Sequence, residues 1–166
     1  MHRPGHLEVT RPPKTPLDEL MAFEVATRDL VGVALRSMEL LDGEVSLPQF
    51  RLLLVLQGNG RCTSTQVAQA LGLVGSSVTR LGDRLHTSGH LVRGAEPSNR
   101  SVVTLELTDR GRKLVKQVAA SRRRELGRVL DRLDPVERAA CAEGLRSLHQ
   151  RLGDDYATDL HGPMPL

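Results

Sequence analysis

Residues 63–87 read TSTQVAQALGLVGSSVTRLGDRLHT, and this stretch decides the fold. Thr63 with Gln66 three residues later is a capping box, so a helix starts here. Val67, Ala68, Ala70 and Leu71 supply its apolar side, and Gly72 closes it. A second helix follows almost at once, from Val74 to about Thr87, with Val78, Leu81 and Leu85 on one face. Two short helices joined by a tight glycine-containing turn form a helix-turn-helix. Gly89 ends the second helix. Leu91-Val92-Arg93 then reads as a strand, Glu96-Pro97-Ser98-Asn99 as a long polar tip, and Val102 to Leu107 as a β-branched strand. A helix-turn-helix followed directly by a hairpin is the winged-helix arrangement.

Outward from this centre the pattern is helical. Leu17, Leu20, Met21, Val31, Leu35 and Met38 fall at helical spacing, and Asp42-Gly43 ends that helix. Ser46 caps the next, with Pro48 just inside it. Phe50 and the run Leu52 to Leu56 make that helix apolar nearly all round, as expected of a buried centre. On the other side Thr108 caps a long helix over 109–133. Asp134, Pro135 and Glu137 restart a helix through about Leu152. The expected fold is mainly α with a small β-hairpin wing: a winged helix-turn-helix inside a six-helix homodimeric architecture. Residues 46–108 are expected to form the winged helix-turn-helix lobe, and 16–45 and 109–156 the outer helices that would dimerise. Residues 1–15 are a disordered Pro-rich tail and 157–166 a frayed one.

Composition narrows the function. The chain has 166 residues with 39% hydrophobic and 26% charged, an ordinary globular balance. Phe23, Phe50 and Tyr156 are its aromatics. So few rings exclude readers that stack single-stranded bases on aromatic platforms. The two cysteines are too few for a disulfide scaffold or a zinc ribbon. No apolar run suits a membrane span, so the expected location is the cytoplasm and no membrane partner is expected. The net charge of +3 hides a basic centre: residues 110–128 hold 8 Lys/Arg and 1 Asp/Glu. That is the footprint of a nucleic-acid surface or of an Arg-rich solvated helix face.

The stretches LPQFRLLLVLQGNG, TSTQVAQALGLVGSSVTRLGDRLHTSGHLVR and NRSVVTLELTDRGRKL, roughly Leu47 to Leu114, resemble the MarR family of bacterial transcription regulators. The resemblance implies a homodimer with interlocked terminal helices, each subunit presenting a winged helix to palindromic double-stranded DNA. It implies repression of its own or neighbouring genes, with release by a small amphipathic or phenolic effector in the dimer cleft. Ser76, Ser77, Thr79 and Arg80 would lie in the major groove, where Arg80 can grip a guanine and the hydroxyls can meet phosphates or bases. Helix capping is a compatible role for Ser76 and Ser77. Arg84, one turn on, suits a phosphate. At the wing the family pattern is an acidic residue followed by Arg. Here it reads Asn99-Arg100, so Arg100 would enter the minor groove with Asn99 or Glu96 as its support. Arg110, with Arg112 and Lys113, is a phosphate candidate near the wing. Arg122-Arg123-Arg124 is expected to be a solvated face or to pair with the acidic C-terminal segment. Gly82 departs from the bulkier family residue, leaving open close approach of another helix or a softened reading helix.

No nucleophile–base constellation appears, so an enzyme is not expected, and neither a metal nor a cofactor. His86 and His90 are four apart, but Gly89 breaks the helix between them, and a surface pair is expected. Cys62 is read as a small buried hydrophobe. Cys141 lies on the last helix, and the first helix holds no cysteine of the kind the peroxide-sensing branch uses. Phe23 and Phe50 are the aromatics nearest an effector cleft, with core packing the simpler role. The alternative functions are a winged-helix protein–protein adaptor and a ligand-independent regulator.

Overall fold

The computed structural model describes residues 15–159, with side chains to Leu152. The tails assigned to 1–15 and 157–166 therefore lie outside the described residues, apart from residue 15 and the helical residues 157–159. The described residues fall into two compact units, divided between Gly32 and Val33. The first contains most of helix α1 (Leu17–Ser37). Its apolar residues Leu17, Leu20, Met21 and Phe23 are exposed.

The second unit starts with the end of α1, a 3-10 turn (Met38–Leu41) and Asp42 in the left-handed region, φ 44°. Helix α2 (Leu47–Asn59) follows, with Ser46 as its N-cap and the Ser46 N–H donating to Gln49 Oε1 at 2.7 Å. Phe50, Leu52, Leu53 and Leu56 of α2 are fully buried. Residues 49–56 are buried or half-buried because other elements surround the helix: α3 (Ser64–Leu71), α4 (Gly75–Thr87), β3 (Asn99–Leu107) and α5 (Asp109–Leu130) all pack on it. Val67, Leu71, Val78, Leu81, Leu85, Leu91, Leu105, Leu107, Val115 and Val118 complete this core. Phe50, 1% exposed, is a core residue.

The β-structure exceeds the expected hairpin in two ways. A two-residue strand β1 (Cys62–Thr63) pairs antiparallel with Leu105 and Thr104, giving a three-stranded sheet in the order β1-β3-β2. A strand of two residues has no periodicity to read. The wing is also longer than expected. Strand β2 runs Leu91–Glu96 and β3 Asn99–Leu107, so Pro97-Ser98 alone form the tip. Pro97 and Ser98 do not take positive φ, which type I′ or II′ hairpin turns would need. The ladder instead shifts register between Ala95 and Glu96.

Helix α5 ends at Leu130, three residues earlier than expected, with Leu133 in the following turn. Helix α6 (Pro135–Asp159) starts at Asp134, whose carboxylate accepts from the N–H groups of Val136 and Glu137. These bonds hold the Asp134 carboxyl below its ordinary pKa. Among the described residues α6 buries no side chain in the core, and Val136, Leu145 and Leu152 are exposed.

Two glycines show opposite tolerances. A Cβ on Gly82 would stand 3.6 Å from Leu105 Cδ2, an ordinary packing distance, so the neighbour is strand β3 and not another helix. A Cβ on Gly111 would stand 2.2 Å from the His90 carbonyl oxygen. Gly82→Ala is expected to stabilise the protein by about 0.5–1 kcal/mol through helix propensity. Gly111→Ala should destabilise it by about 1–3 kcal/mol or more through overpacking. Urea denaturation of the two variants checks both signs, and a destabilised Gly82→Ala would refute the stated α4–β3 packing.

Candidate nucleic-acid interface

The interface is built on α4 and the tip of the β2–β3 wing. Helix α4 begins after Gly72, whose left-handed φ of 64° makes the turn from α3. Its N-cap is Val74, which has no side-chain acceptor and is 68% exposed. Ser76 and Ser77 thus occupy the first turn without capping it. Val78, Leu81 and Leu85 turn into the core, so the opposite face carries Ser76, Thr79, Arg80 and Arg84 to solvent. Ser77 is half-buried beside them. The Thr79 hydroxyl donates to the Gly75 carbonyl at 3.1 Å, which leaves its oxygen lone pairs available.

The arginines of this region fall into two groups. Arg93 pairs with Asp83, tying β2 to α4. Arg110 pairs with Glu44, tying the start of α5 to the loop before α2. Arg112 donates to the Leu107 carbonyl at 2.7 Å and pairs with Asp109 at 2.7 Å. Arg61 donates to Thr104 and to the Ala95 carbonyl. Among the described residues the side chains of Arg80, Arg84 and Arg100 have no hydrogen bond or ion pair. Those three lie on the outer face of α4 and at the wing tip. Arg110, grouped with them by sequence, therefore differs from them: its guanidinium is held by Glu44.

Asn99 does not orient Arg100. Its Oδ1 accepts from the Ser101 backbone N–H at 3.1 Å, which shapes the return of the tip. Arg122 also departs from expectation. It is half-buried, and its Nε donates to Ser37 Oγ at 3.3 Å, while Arg123 and Arg124 are exposed. Sequence reasoning missed Arg61, Arg93 and Glu44 as members of this framework. Their partners lie 10 to 66 residues away in sequence, beyond any local pattern.

The base of the wing is joined to α5 by a compact set of polar contacts. Thr108 Oγ1 donates to the Gly89 carbonyl at 2.7 Å and accepts from the Gly111 N–H at 3.1 Å. The Thr108 N–H donates to the His90 carbonyl at 3.1 Å. The His90 ring is buried, with Nδ1 2.8 Å from Ser88 Oγ. Burial lowers its pKa, Arg110 lowers it further, and Glu44 opposes both. The His86 ring meets the Leu91 carbonyl instead, so the two histidines have different partners. No group of three or more His, Cys, Asp or Glu among the described residues could hold a metal ion. Cys62 is buried, and burial pushes its thiol pKa up, so it stays protonated at neutral pH. Cys141 is exposed. A cleft of about 460 Å³ beside α4 is lined by Glu44, Gln49, Asp83, Arg84, Thr87 and Ser88.

A helix-turn-helix of α3 and α4 packed on α2, with a sheet-borne wing beside it, defines a winged helix-turn-helix protein. Residues 44–100 match the model of the MarR family. The chain is 31% identical over 109 residues to the uncharacterized HTH-type transcriptional regulator YfiV of Bacillus subtilis, covering 66% of this chain and 68% of that one. Its structure is similar to that of RV1404 from Mycobacterium tuberculosis, with TM-score 0.75 and 30% identity, covering 84% of this chain and 97% of that chain. A MarR family protein from Bacillus stearothermophilus gives TM-score 0.70 and 26% identity, covering 84% and 99%. The chain belongs to the MarR family, whose members are DNA-binding transcription regulators and not enzymes. No helix among the described residues is long and apolar enough to cross a membrane.

The lowered pKa of His90 has a direct consequence for stability. The folded-state value lies below the unfolded value of about 6.5. Its contribution is therefore complete above that pH and is lost as the pH falls toward the folded value, where the unfolded chain binds the extra proton. Thermal melts between about pH 7.5 and about pH 5 should show a steeper loss for the native protein than for His90→Gln. Parallel pH profiles for the two proteins would contradict this account.

Proposed function

We propose that the chain is a homodimeric, sequence-specific repressor that reads palindromic double-stranded DNA near its own gene. The observation that carries this reading is the sorting of arginines: those framing the lobe are paired, and those on the α4 face and the wing tip are not. A pure scaffold for protein contacts has no need of unpaired guanidinium groups at both of these places. Arg80 is placed to take a guanine edge, with Ser76, Ser77 and Thr79 contacting phosphates or bases. Arg84 takes a phosphate. Arg100, beside Asn99 at the tip, enters the minor groove. Arg110 can reach a phosphate only by giving up Glu44, so its part is the smaller one.

The exposed apolar residues of α1 and α6 support dimerisation. Leu17, Leu20, Met21 and Phe23 on one helix, and Val136, Leu145 and Leu152 on the other, would bury their surface against a second copy. Release by a small amphipathic effector fits the cleft beside α4. Glu44 and Asp83 there are already paired with Arg110 and Arg93, so Arg84 is the group that would hold an acidic end of such a molecule. Binding there shifts the population toward a state with a different reading-helix position.

The test is a titration against duplex DNA from immediately upstream of the coding sequence, with excess competitor and at several salt concentrations. Arg80→Ala should cost roughly 5- to 150-fold in affinity and relax the preference at one base position. Arg100→Ala should weaken binding and flatten the salt dependence by about one phosphate-equivalent or less. Unchanged affinity of both variants across the salt range would sink the interface. Light scattering at micromolar concentration should return the mass of a dimer, and a clean monomer would overturn the two-fold arrangement.

A further inference from the structure

We infer that Arg61 is a positioning residue that holds the wing in its DNA-reading orientation, an inference that rests on the wing reading above. Arg61 lies between the end of α2 and β1, one residue after Gly60. Its side chain crosses the sheet. Nε donates to Thr104 Oγ1 on β3 at 3.2 Å, and Nη2 donates to the Ala95 carbonyl on β2 at 2.7 Å. Gly94 is paired with Thr104 and leaves room for this crossing. A Cβ on Gly94 would stand 3.0 Å from Thr104 Oγ1 and 3.5 Å from Arg61 Nη2. Three residues from three strands or their approaches thus fit one contact. Thr104, a polar residue only 2% exposed, receives its partner from it.

The location gives the contact its consequence. Ala95 stands at the register shift, where the β2–β3 ladder is interrupted just before the tip. Beyond it the tip depends on Glu96 opposite Asn99 and carries Arg100. Side chains alternate between sheet faces, so Arg93, one residue before Gly94, points to the other face and meets Asp83 of α4. The stem is therefore tied on one face to the reading helix and on the other to the α2–β1 connection. Without Arg61 the second tie is lost, and the tip must be ordered at the moment of binding. Preorganisation of this kind raises affinity without any new contact to the ligand.

Arg61 is also exposed and charged, so a direct phosphate contact is the competing account. The two are separated with the full chain and a duplex selected by the native protein from a random-sequence pool. Arg61→Ala, Arg100→Ala and the double variant form a cycle. Thr104→Val removes the acceptor without changing charge. In the absence of DNA, Arg61→Ala and Thr104→Val should both speed amide hydrogen exchange over 95–103 and leave α2, α3 and α4 protected. With DNA, each should weaken binding roughly 3- to 10-fold when Arg100 is present. Each should weaken it less than about 2-fold when Arg100 is already Ala, because coupled sites are non-additive. Equal losses from Arg61→Ala in both backgrounds, with no effect of Thr104→Val, would assign a phosphate contact and overturn the proposal. Unchanged exchange at the tip would overturn it as well. If Arg100→Ala itself leaves affinity intact, the wing reading fails first, and the exchange data still show whether the tie exists.

Discussion

The contact on which the lobe depends is the seating of the first turn of α5 against the His90 carbonyl. Gly111 makes it possible, because any side chain there would overlap that oxygen. Thr108 completes it by bonding the Gly89 carbonyl and the Gly111 N–H with one hydroxyl. The same few residues end the reading helix, start the wing and start α5. The end of α4, the start of the wing and the start of α5 are thus joined by short polar bonds.

Charge in this lobe has two uses that composition alone does not separate. Arg93, Arg110, Arg112 and Arg61 are crosslinks between elements, each meeting a carboxylate, a carbonyl or a hydroxyl. Exposed pairs of this kind contribute little to stability, about 0–1 kcal/mol each. Their value is geometric: they join β2 to α4, α5 to the loop before α2, α5 to β3, and the α2–β1 connection to the sheet. The basic run after residue 109 follows the same logic. Arg122 bonds Ser37 and so belongs to the packing of α5.

The helices were legible in the sequence because each announces itself locally. Thr63 with Gln66, Ser46 with Pro48 and Asp134 with Glu137 are start signals, and apolar spacing shows which face is buried. The glycine of the Leu-Thr-Asp-Arg-Gly-Arg motif was visible, but the need for it was not, since the clashing carbonyl belongs to residue 90. The wing tip misled because Gly94, Pro97 and Ser98 are loop formers by composition. Gly94 is in a strand because it pairs with Thr104 of β3, and a side chain there would crowd Thr104 Oγ1 and Arg61. Strand β1 and the Arg61 contact depend on pairing across some forty residues, which no window of sequence contains. The face of α4 followed from periodicity, whereas the commitment of Arg110 to Glu44 could not.

The chain's two cysteines sit in contrasting surroundings, and this has a practical side. Cys62 is shielded and its thiol is held protonated by burial, while Cys141 on α6 is open to solvent. In a lone chain a thiol-reactive dye therefore finds one fast-reacting site, on the helix that also bears Val136, Leu145 and Leu152. The rate of that reaction reports whether this helix is covered by another molecule.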